Sequence, residues 1–318
     1  MEKTRVFAGV DLGGTNTKLG LISETGEILD RLQVPTPTQS GYEQVVESVA
    51  DGLRMLIGSR HVVAIGIGAP GPLDAECGVV IEAPNLPGFA GKALARDLQI
   101  RSERPVVLEN DANAAALGEW WVGAGEGIRH LIVLTIGTGI GGGLILGGRL
   151  YRGSSFSAGE VGHMTIEPNG PPCACGNHGC LEALASAPAI AARAREKLQK
   201  GFESLMLDLA GGDPAAISAE VVSRACAEND PVALRVLEET GRYLGIGAAN
   251  LINVLNPELV LFGGGGAQAG EFLLAPIQKE VDRRSFSGSR CRAELGLCAL
   301  GNDAGVVGAA RVAMDANP

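Results

Sequence analysis

A histidine and three cysteines occur close together in the segment HMTIEPNGPPCACGNHGC, at positions 163–180. Imidazole nitrogen and thiolate sulfur are the usual ligands of structural zinc, which takes four of them in a tetrahedron. The candidate ligands are His163, Cys173, Cys175 and Cys180. Their spacing departs from the paired CxxC pattern of zinc fingers, so reduced cysteines buried in a glycine-rich loop remain an alternative. A disulfide is disfavoured, because seven cysteines and no leader-like N-terminus predict a reducing, cytoplasmic setting.

Three glycine-rich turns follow apolar runs, in DLGGTNTK (11–18), TIGTGIGGG (135–143) and GGGG (263–266). Such turns can hold a phosphate on free backbone N–H groups, because no Cβ blocks its approach. The first two match neither the Walker nor the Rossmann pattern, and each alone could be a simple hairpin turn. Three in one chain favour a nucleotide. The candidate residues are Asp11, which also suits magnesium through water, Gly13, Gly14, Thr15, Asn16, Lys18, Thr138, Gly139, Gly264 and Gly265.

A third candidate group is a carboxylate that could act as a general base. Asp111, in VVLENDANAA, lies between an apolar run and an alanine-rich helical segment. Phosphoryl transfer to a hydroxyl needs a base that accepts the hydroxyl proton, and a carboxylate at a strand end can serve. Asn-Asp before a helix is also the pattern of an N-cap, and on this pattern alone capping is the more usual role.

Length and charge limit the partners of the protein. A chain of 318 residues predicts two lobes around a cleft rather than one core. The net charge of −10 argues against nucleic acid and anionic lipid as partners. The most apolar later stretch, LGIGAANLINVL, is shorter than the roughly 20 residues of a membrane-spanning helix. We therefore expect small-molecule ligands and no membrane association.

Strand-like and helix-like segments alternate, which predicts an α/β protein with a mostly parallel sheet. Residues 6–23 and 130–148 each predict two strands joined by a glycine turn, and 41–58 has apolar residues at helical spacing. Ser186 is the expected N-cap of a following helix, and a long helix should stop near Asn256 and Pro257. ELVLFGGGG then predicts a last buried strand.

The segments DLGGTNTK, LENDANAAALGE, LTIGTGIGGG, EVGH and CACGNHGCLE resemble, in this order, the ROK family of repressors, open reading frames and sugar kinases. The resemblance extends from about residue 6 to LGNDAGVVGAA near the C-terminus. It implies an actin-like, ribonuclease H-like two-lobed ATPase fold with an interlobe cleft. The expected lobes are 1–118, completed by about 303–318, and 119–302, which carries the zinc loop. A homodimer or a dimer of dimers is also implied.

The resemblance assigns roles to individual residues. Asp111 corresponds to the family's catalytic base, and Asn110 to a residue that contacts the sugar. The implied sugar-binding residues are Asn85, Asn110, Asp111, Glu160, His163 and Glu182. CACGNHGCLE matches the family's zinc motif CxCGxxGCxE, in which His178 is not a ligand. The implied cofactors are ATP, Mg²⁺ and a structural Zn²⁺ that stiffens the loop and thereby positions Glu160 and Glu182.

The implied activity is ATP-dependent phosphorylation of a hexose at its 6-hydroxyl. NLPGF and the histidine of EVGH resemble the branch that uses glucose. Small pocket changes redirect such selectivity, so N-acetylglucosamine and N-acetylmannosamine remain alternatives, as does polyphosphate in place of ATP. A non-enzymatic sugar-sensing repressor of the same family is disfavoured, since only ten residues precede Asp11 and the charge is acidic.

Overall fold

The computed structural model describes residues 4–83, 86–290 and 292–318. The strands are β1 Val6–Leu12, β2 Asn16–Ser23, β3 Ile28–Pro35, β4 Ile65–Ala69, β5 Leu73–Asp74, β6 Val79–Val80, β7 Val106–Asn110, β8 Leu131–Ile136, β9 Ile140–Ile145, β10 Leu259–Gly263 and β11 Glu294–Leu297. The α-helices are α1 Tyr42–Ile57, α2 Leu94–Ser102, α3 Asp111–Val122, α4 Leu181–Ala185, α5 Ala187–Gln199, α6 Leu205–Leu209, α7 Ala219–Ala227, α8 Pro231–Leu255, α9 Glu271–Arg284, α10 Ser287–Arg290 and α11 Ala304–Ala316. Among the helices that the structure describes, none combines the length and apolar character of a membrane span.

The chain divides into two compact units, each discontinuous in sequence. The first consists of Met1–Arg129, Gly143–Gly159 and Ala299–Pro318. The second consists of His130–Gly142 and Glu160–Cys298. Residues 119–129 and 143–159 therefore belong to the first unit.

The sheet of the first unit has the strand order β3-β2-β1-β4-β7. The predicted hairpin is confirmed, since β1 and β2 pair antiparallel from Val6–Ser23 to Leu12–Thr17. The prediction of a mostly parallel sheet is wrong for this unit. Only the β1–β4 and β4–β7 pairs are parallel, whereas β1–β2 and β2–β3 are antiparallel. The reason is loop length, because a short turn cannot return the chain to a parallel start.

The two faces of this sheet pack against different helices. Ala8 and Val10 of β1 lie in the core that α1 covers, where the predicted helix is confirmed. Phe7 instead lies with apolar residues of α11. A Cβ at Gly9 would lie 1.9 Å from the carbonyl oxygen of Val306. Because that space does not exist, only glycine lets α11 pack directly on the β1 backbone.

Helix α11 also packs against α3, the helix that begins at Asp111. A Cβ at Gly308 would lie 1.6 Å from the carbonyl oxygen of Ala114, so the two backbones are in direct contact. Such close packing leaves α3 little freedom to move along or away from α11. The N-terminus of α3 is therefore held in place by the core of the first unit.

A buried carboxylate ties α3 to the segment before α11. Glu119 is fully buried. Its Oε2 accepts hydrogen bonds of 3.0 Å from the backbone N–H groups of Ala124 and Ala299, and its Oε1 accepts one of 2.8 Å from Leu300. A buried carboxylate is stable when hydrogen bonds replace its hydration, and here three N–H groups do so.

We expect Glu119→Ala to lower the free energy of unfolding by about 3–5 kcal/mol, because it leaves three backbone donors without their acceptor. Urea denaturation followed by circular dichroism measures the loss. Glu126→Ala is the matched control, since Glu126 is exposed on the following loop and should change stability by less than about 0.5 kcal/mol. A Glu119→Ala effect as small as that of the control would contradict this role.

The sheet of the second unit has the strand order β11-β10-β8-β9. Strands β8, β10 and β11 are parallel neighbours. The two strands predicted in 130–148 are confirmed, and so is β10, but β10 is not the last strand because β11 follows it. Strand β11 is short and only half-buried or exposed along its length, so its sequence lacks a strong apolar pattern.

Two helix predictions in this unit are confirmed. The long helix is α8, which ends at Leu255, and Asn256 adopts the left-handed conformation that stops it. Ser186 is the N-cap residue of α5, although its side chain makes no capping hydrogen bond. The N–H of Ala187 instead donates to the carbonyl oxygen of Gly137, so a backbone acceptor meets one of the free donors of this helix end.

Candidate active site

Asn110 and Asp111 lie at the junction of β7 and α3 in the first unit. Asn110 is the N-cap, and its Oδ1 accepts hydrogen bonds from the N–H groups of Ala112 (3.0 Å) and Asn113 (3.1 Å). Asp111 is the first residue of the helix, and its Oδ1 accepts from the N–H of Ala112 at 2.8 Å. The N-cap interpretation of Asp111 is therefore corrected, since Asn110 fills that position. A carboxylate in the first turn of a helix is stabilised in its ionised form.

Two charged residues at this junction were missed by the sequence analysis. Glu109 is 2% exposed, and its Oε2 accepts a hydrogen bond of 2.7 Å from Nε of Arg152. Its Oε1 accepts from the backbone N–H of Asn110 (3.1 Å) and from Nδ2 of Asn113 (3.0 Å). The available signal was a glutamate inside an apolar strand, which requires a buried partner. Which residue is that partner could not be read from the sequence.

The first glycine turn joins β1 to β2. Asp11 near the end of β1 lies 3.6 Å from Nζ of Lys18, which also donates to the carbonyl oxygen of Asn302 at 3.2 Å. Burial raises the pKa of the Asp11 carboxyl, and Lys18 opposes that rise. A Cβ at Gly305, in the first turn of α11, would lie 2.9 Å from Cγ of Asp11. Asp11 and Lys18 thus face each other beside the turn, while Thr15 and Asn16 are exposed on it.

The other two glycine turns come together in the second unit. They follow β8 and β10, which are parallel neighbours, so both turns leave the same edge of the sheet. Gly264 has a φ of 82°, and a Cβ there would lie 2.5 Å from the carbonyl oxygen of Ile136. Thr138 and Gly265 are exposed, respectively on the first and the second of these turns. Turns at the carboxyl edge of parallel strands are where α/β proteins bind nucleotides.

The four predicted zinc ligands converge in the second unit. The ligand atoms of His163, Cys173, Cys175 and Cys180 all lie within 4.8 Å of one another. Sγ of Cys173 is 3.7 Å from Nδ1 of His163, and Sγ of Cys175 is 3.7 Å from Sγ of Cys180. A zinc tetrahedron with ordinary bond lengths has edges of about 3.6–3.8 Å, so both the donor set and these distances fit zinc. His178 is exposed, as predicted.

Both predicted sugar-binding glutamates of this unit lie beside the cluster. Glu182, in the first turn of α4, accepts a hydrogen bond of 2.9 Å from the N–H of Ile140 through Oε2, and its Oε1 is 3.9 Å from Sγ of Cys173. Oε2 of Glu160 is 3.9 Å from Nε2 of His163. His163 therefore directs one ring nitrogen to the cysteines and the other to Glu160. The glycine turn between β8 and β9, the cysteines and both glutamates are therefore neighbours in the second unit.

The position of α4 depends on a buried arginine that the sequence analysis also missed. Nη2 of Arg193 donates to the carbonyl oxygen of Leu184 at 2.5 Å, and its Nη1 donates to Oγ1 of Thr240 at 2.8 Å. Leu181 is fully buried, and its side chain lies where a Cβ at Gly247 of α8 would be only 2.9 Å away. These contacts hold α4, and with it Glu182, against α5 and α8.

The structure therefore places the predicted residues in two groups. The first unit holds Asn110 and Asp111 at one junction, and the Asp11–Lys18 turn. The second unit holds Glu160, His163 and Glu182 around the cysteines, together with the two later glycine turns. Asn85, predicted to bind sugar, lies outside the described residues.

Comparison with known proteins shows the family of this chain. The profile of the ROK family matches residues 7–316, nearly the whole chain. The chain belongs to the ROK family. Among ROK proteins of known activity, it is 41% identical to a glucokinase of Thermotoga maritima over 98% of both chains. It is 39% identical to a glucokinase of Halalkalibacterium halodurans, over 96% of this chain and 93% of that one.

A solved ROK structure shows the same fold. The ROK family glucokinase of Streptomyces griseus, in complex with glucose and AMPPNP, superposes with a TM-score of 0.88 at 37% identity, covering 98% of this chain and 99% of that one. ROK sugar kinases have the actin-like two-lobed α/β fold, so the predicted fold class and family are both confirmed.

Proposed function

We propose that this ROK protein is a hexose kinase that transfers the γ-phosphoryl group of ATP to the 6-hydroxyl of glucose. The observation that carries the proposal is the match, along nearly its whole length, to a ROK glucokinase whose structure contains glucose and AMPPNP. Two further glucokinases of about 40% identity support the same substrates. The carboxylate at the start of α3 and the glycine turns supply the groups that such a transfer needs.

In this proposal Asp111 is the general base. It accepts the proton of the 6-hydroxyl as the hydroxyl oxygen attacks the γ-phosphorus and the bond to the β-phosphate oxygen breaks, leaving ADP. The carboxylate lies in the first turn of α3, at the positive end of the helix dipole. The N–H of Ala112 donates to Oδ1 of Asp111 at 2.8 Å, which fixes the carboxylate at the start of α3.

The sugar hydroxyls require paired donors and acceptors. We assign this role to Asn85, Asn110, Asp111, Glu160, His163 and Glu182. Oδ1 of Asn110 accepts from two backbone N–H groups, and Nδ2 donates to the carbonyl oxygen of Gly71 at 3.3 Å. The second N–H of Nδ2 is therefore the group assigned to a sugar oxygen. Glu182 keeps Oε1 for the sugar, since Oε2 accepts from Ile140.

The phosphates of ATP belong, in this proposal, on the glycine turns. The assigned residues are Asp11, Gly13, Gly14, Thr15, Asn16, Lys18, Thr138, Gly139, Gly264 and Gly265. Asp11 fits Mg²⁺ through water, because its carboxylate is 25% exposed and lies beside the turn. Mg²⁺, when bound, neutralises phosphate charge during transfer.

We further propose that His163, Cys173, Cys175 and Cys180 hold a structural zinc, with no part in activating water. Zinc, when bound, would supply rigidity to a loop rich in glycine and proline. His163 directs Nδ1 to the cysteines and keeps Nε2 for Glu160 and the sugar. The proposal also includes a homodimer or dimer of dimers, and a reducing cytoplasmic setting in glycolysis.

A coupled assay for ADP tests the substrate assignment. The panel is glucose, mannose, N-acetylglucosamine and N-acetylmannosamine with ATP, and glucose with polyphosphate, where glucose 6-phosphate is measured instead of ADP. We expect kcat/KM to be highest for glucose with ATP. A higher kcat/KM for an N-acetylhexosamine would overturn the sugar assignment, and one for polyphosphate would overturn the donor. If no sugar gives a product, the kinase proposal fails and a non-enzymatic sugar-sensing protein is the remaining alternative.

A further inference from the structure

We infer that half-buried Arg152 and buried Glu109 form an ion pair that positions the Asn110–Asp111 junction and balances charge beside the general base. The inference rests on the proposed function, since it assigns positioning residues to that reaction. Neither residue belongs to the sugar, nucleotide or zinc groups described above. The pair lies entirely within the first unit.

The hydrogen bonds of Glu109 reach both residues that shape the junction. Its Oε1 accepts from the backbone N–H of Asn110 and from Nδ2 of Asn113, at 3.1 Å and 3.0 Å. Asn110 is the N-cap of α3, and Asn113 lies one turn into the helix. The carboxylate therefore fixes where α3 begins, and hence the backbone that carries Asp111.

Arg152 makes this buried carboxylate tolerable. The side chain of Glu109 is 3% exposed, and burial of a carboxylate is costly unless a counter-charge and hydrogen bonds replace its hydration. Nε of Arg152 supplies it at 2.7 Å, from the segment after β9. Without Arg152, a negative charge would lie unbalanced two residues from Asp111. Two neighbouring carboxylates resist being ionised together, so the pair would hold a proton to higher pH.

The other charged groups on the elements around this junction, apart from the exposed Arg96, have partners of their own. Strand β4 carries no charged side chain. The charged residues of the other elements packed on β7 and α3 are Asp74 on β5, Arg96, Asp97 and Arg101 on α2, and Arg311 and Asp315 on α11. Asp74 accepts the N–H of Cys77, and Asp97 accepts the hydroxyl of Tyr42. Arg101 pairs with Glu43 and Glu47, and Arg311 pairs with Asp315. Arg152 is the cation that contacts Glu109.

The pH dependence of kcat for glucose tests the inference. In Arg152→Gln we expect the pH of half-maximal rate on the acid side to rise by about one unit, and the maximal kcat to fall about tenfold as the junction loosens. In Glu109→Gln, which leaves Arg152 unpaired, the acid-side pH of half-maximal rate should fall. The double variant Arg152→Gln/Glu109→Gln removes both charges and should return the acid side to within about 0.3 unit of the unmodified protein.

Three further variants separate this role from general damage. Arg152→Lys keeps the charge and should keep the acid side within about 0.3 unit, even if its kcat falls. Arg60→Gln is the matched control, because Arg60 pairs with Asp30 at 2.9 Å on the exposed surface of the same unit. It should leave the whole profile unchanged. Circular dichroism and thermal melting establish that each variant is folded at the assay temperature.

The outcomes distinguish this inference from the proposed function. If the acid-side pH of half-maximal rate is unchanged in Arg152→Gln, the inference is overturned, whatever happens to kcat. If Arg152→Gln does not fold, the double variant and Glu109→Gln decide. The inference is also overturned if these two variants have the same acid-side pH of half-maximal rate. The proposed function fails on a separate measurement, the absence of product with every sugar of the panel, and the general-base role of Asp111 fails if Asp111→Asn retains turnover.

Discussion

Asp111→Asn should lower kcat for glucose phosphorylation by about 10²- to 10⁴-fold, while the dissociation constant for glucose changes by less than about tenfold. An amide has nearly the shape of a carboxylate but cannot accept the hydroxyl proton at neutral pH. Its Oδ1 can still accept the N–H of Ala112, now at 2.8 Å, so the start of α3 should be preserved. ADP release measures kcat, and calorimetry measures glucose binding.

The control for this variant is Asp315→Asn. Asp315 is an exposed aspartate on α11 that pairs with Arg311, and its replacement should leave kcat within about twofold. If Asp111→Asn retained more than a tenth of the activity, Asp111 would not be the general base. If its glucose affinity also collapsed, the residue would serve binding more than proton transfer.

Removal of the metal has the second large expected effect. In Cys175→Ser we expect the zinc content, measured by mass spectrometry, to fall from about one ion per chain toward none. We expect the dissociation constant for glucose to rise about 10- to 100-fold, because the cluster supports both Glu160 and Glu182. Cys175 is exposed, so serine at this position leaves no cavity in the core. The rise in the dissociation constant can therefore be attributed to loss of the metal.

Cys77→Ser is the matched control for the metal. Cys77 is an exposed free thiol in the first unit, outside the cluster, and its replacement should leave zinc content and glucose binding unchanged. Chelation of the unmodified protein should reproduce the Cys175→Ser effect, and added zinc should reverse it. Unchanged glucose affinity in protein verified to be free of zinc would overturn the structural role.

Local pattern was enough for much of the fold. The apolar spacing of 41–58 predicted α1, because a helix repeats every 3.6 residues and buries one side. The runs before each glycine turn predicted β1, β8 and β10 for a similar reason. Strand β11 and the pairing of β3 with β2 were not predicted. Both β11 and β3 are edge strands without a fully buried residue, so their sequences carry little apolar pattern.

By itself, the sequence determined the family, the four candidate zinc ligands and the aspartate at the start of α3, because these depend on residue types at fixed spacing. Only the tertiary structure decided which residue caps α3, since capping depends on where Oδ1 of Asn110 points. It also decided that Glu182 contacts the turn before β9 and that Arg152 balances Glu109. Residues 109 and 152 are distant along the chain, and nothing in local spacing encodes the folding that brings their charges within 2.7 Å.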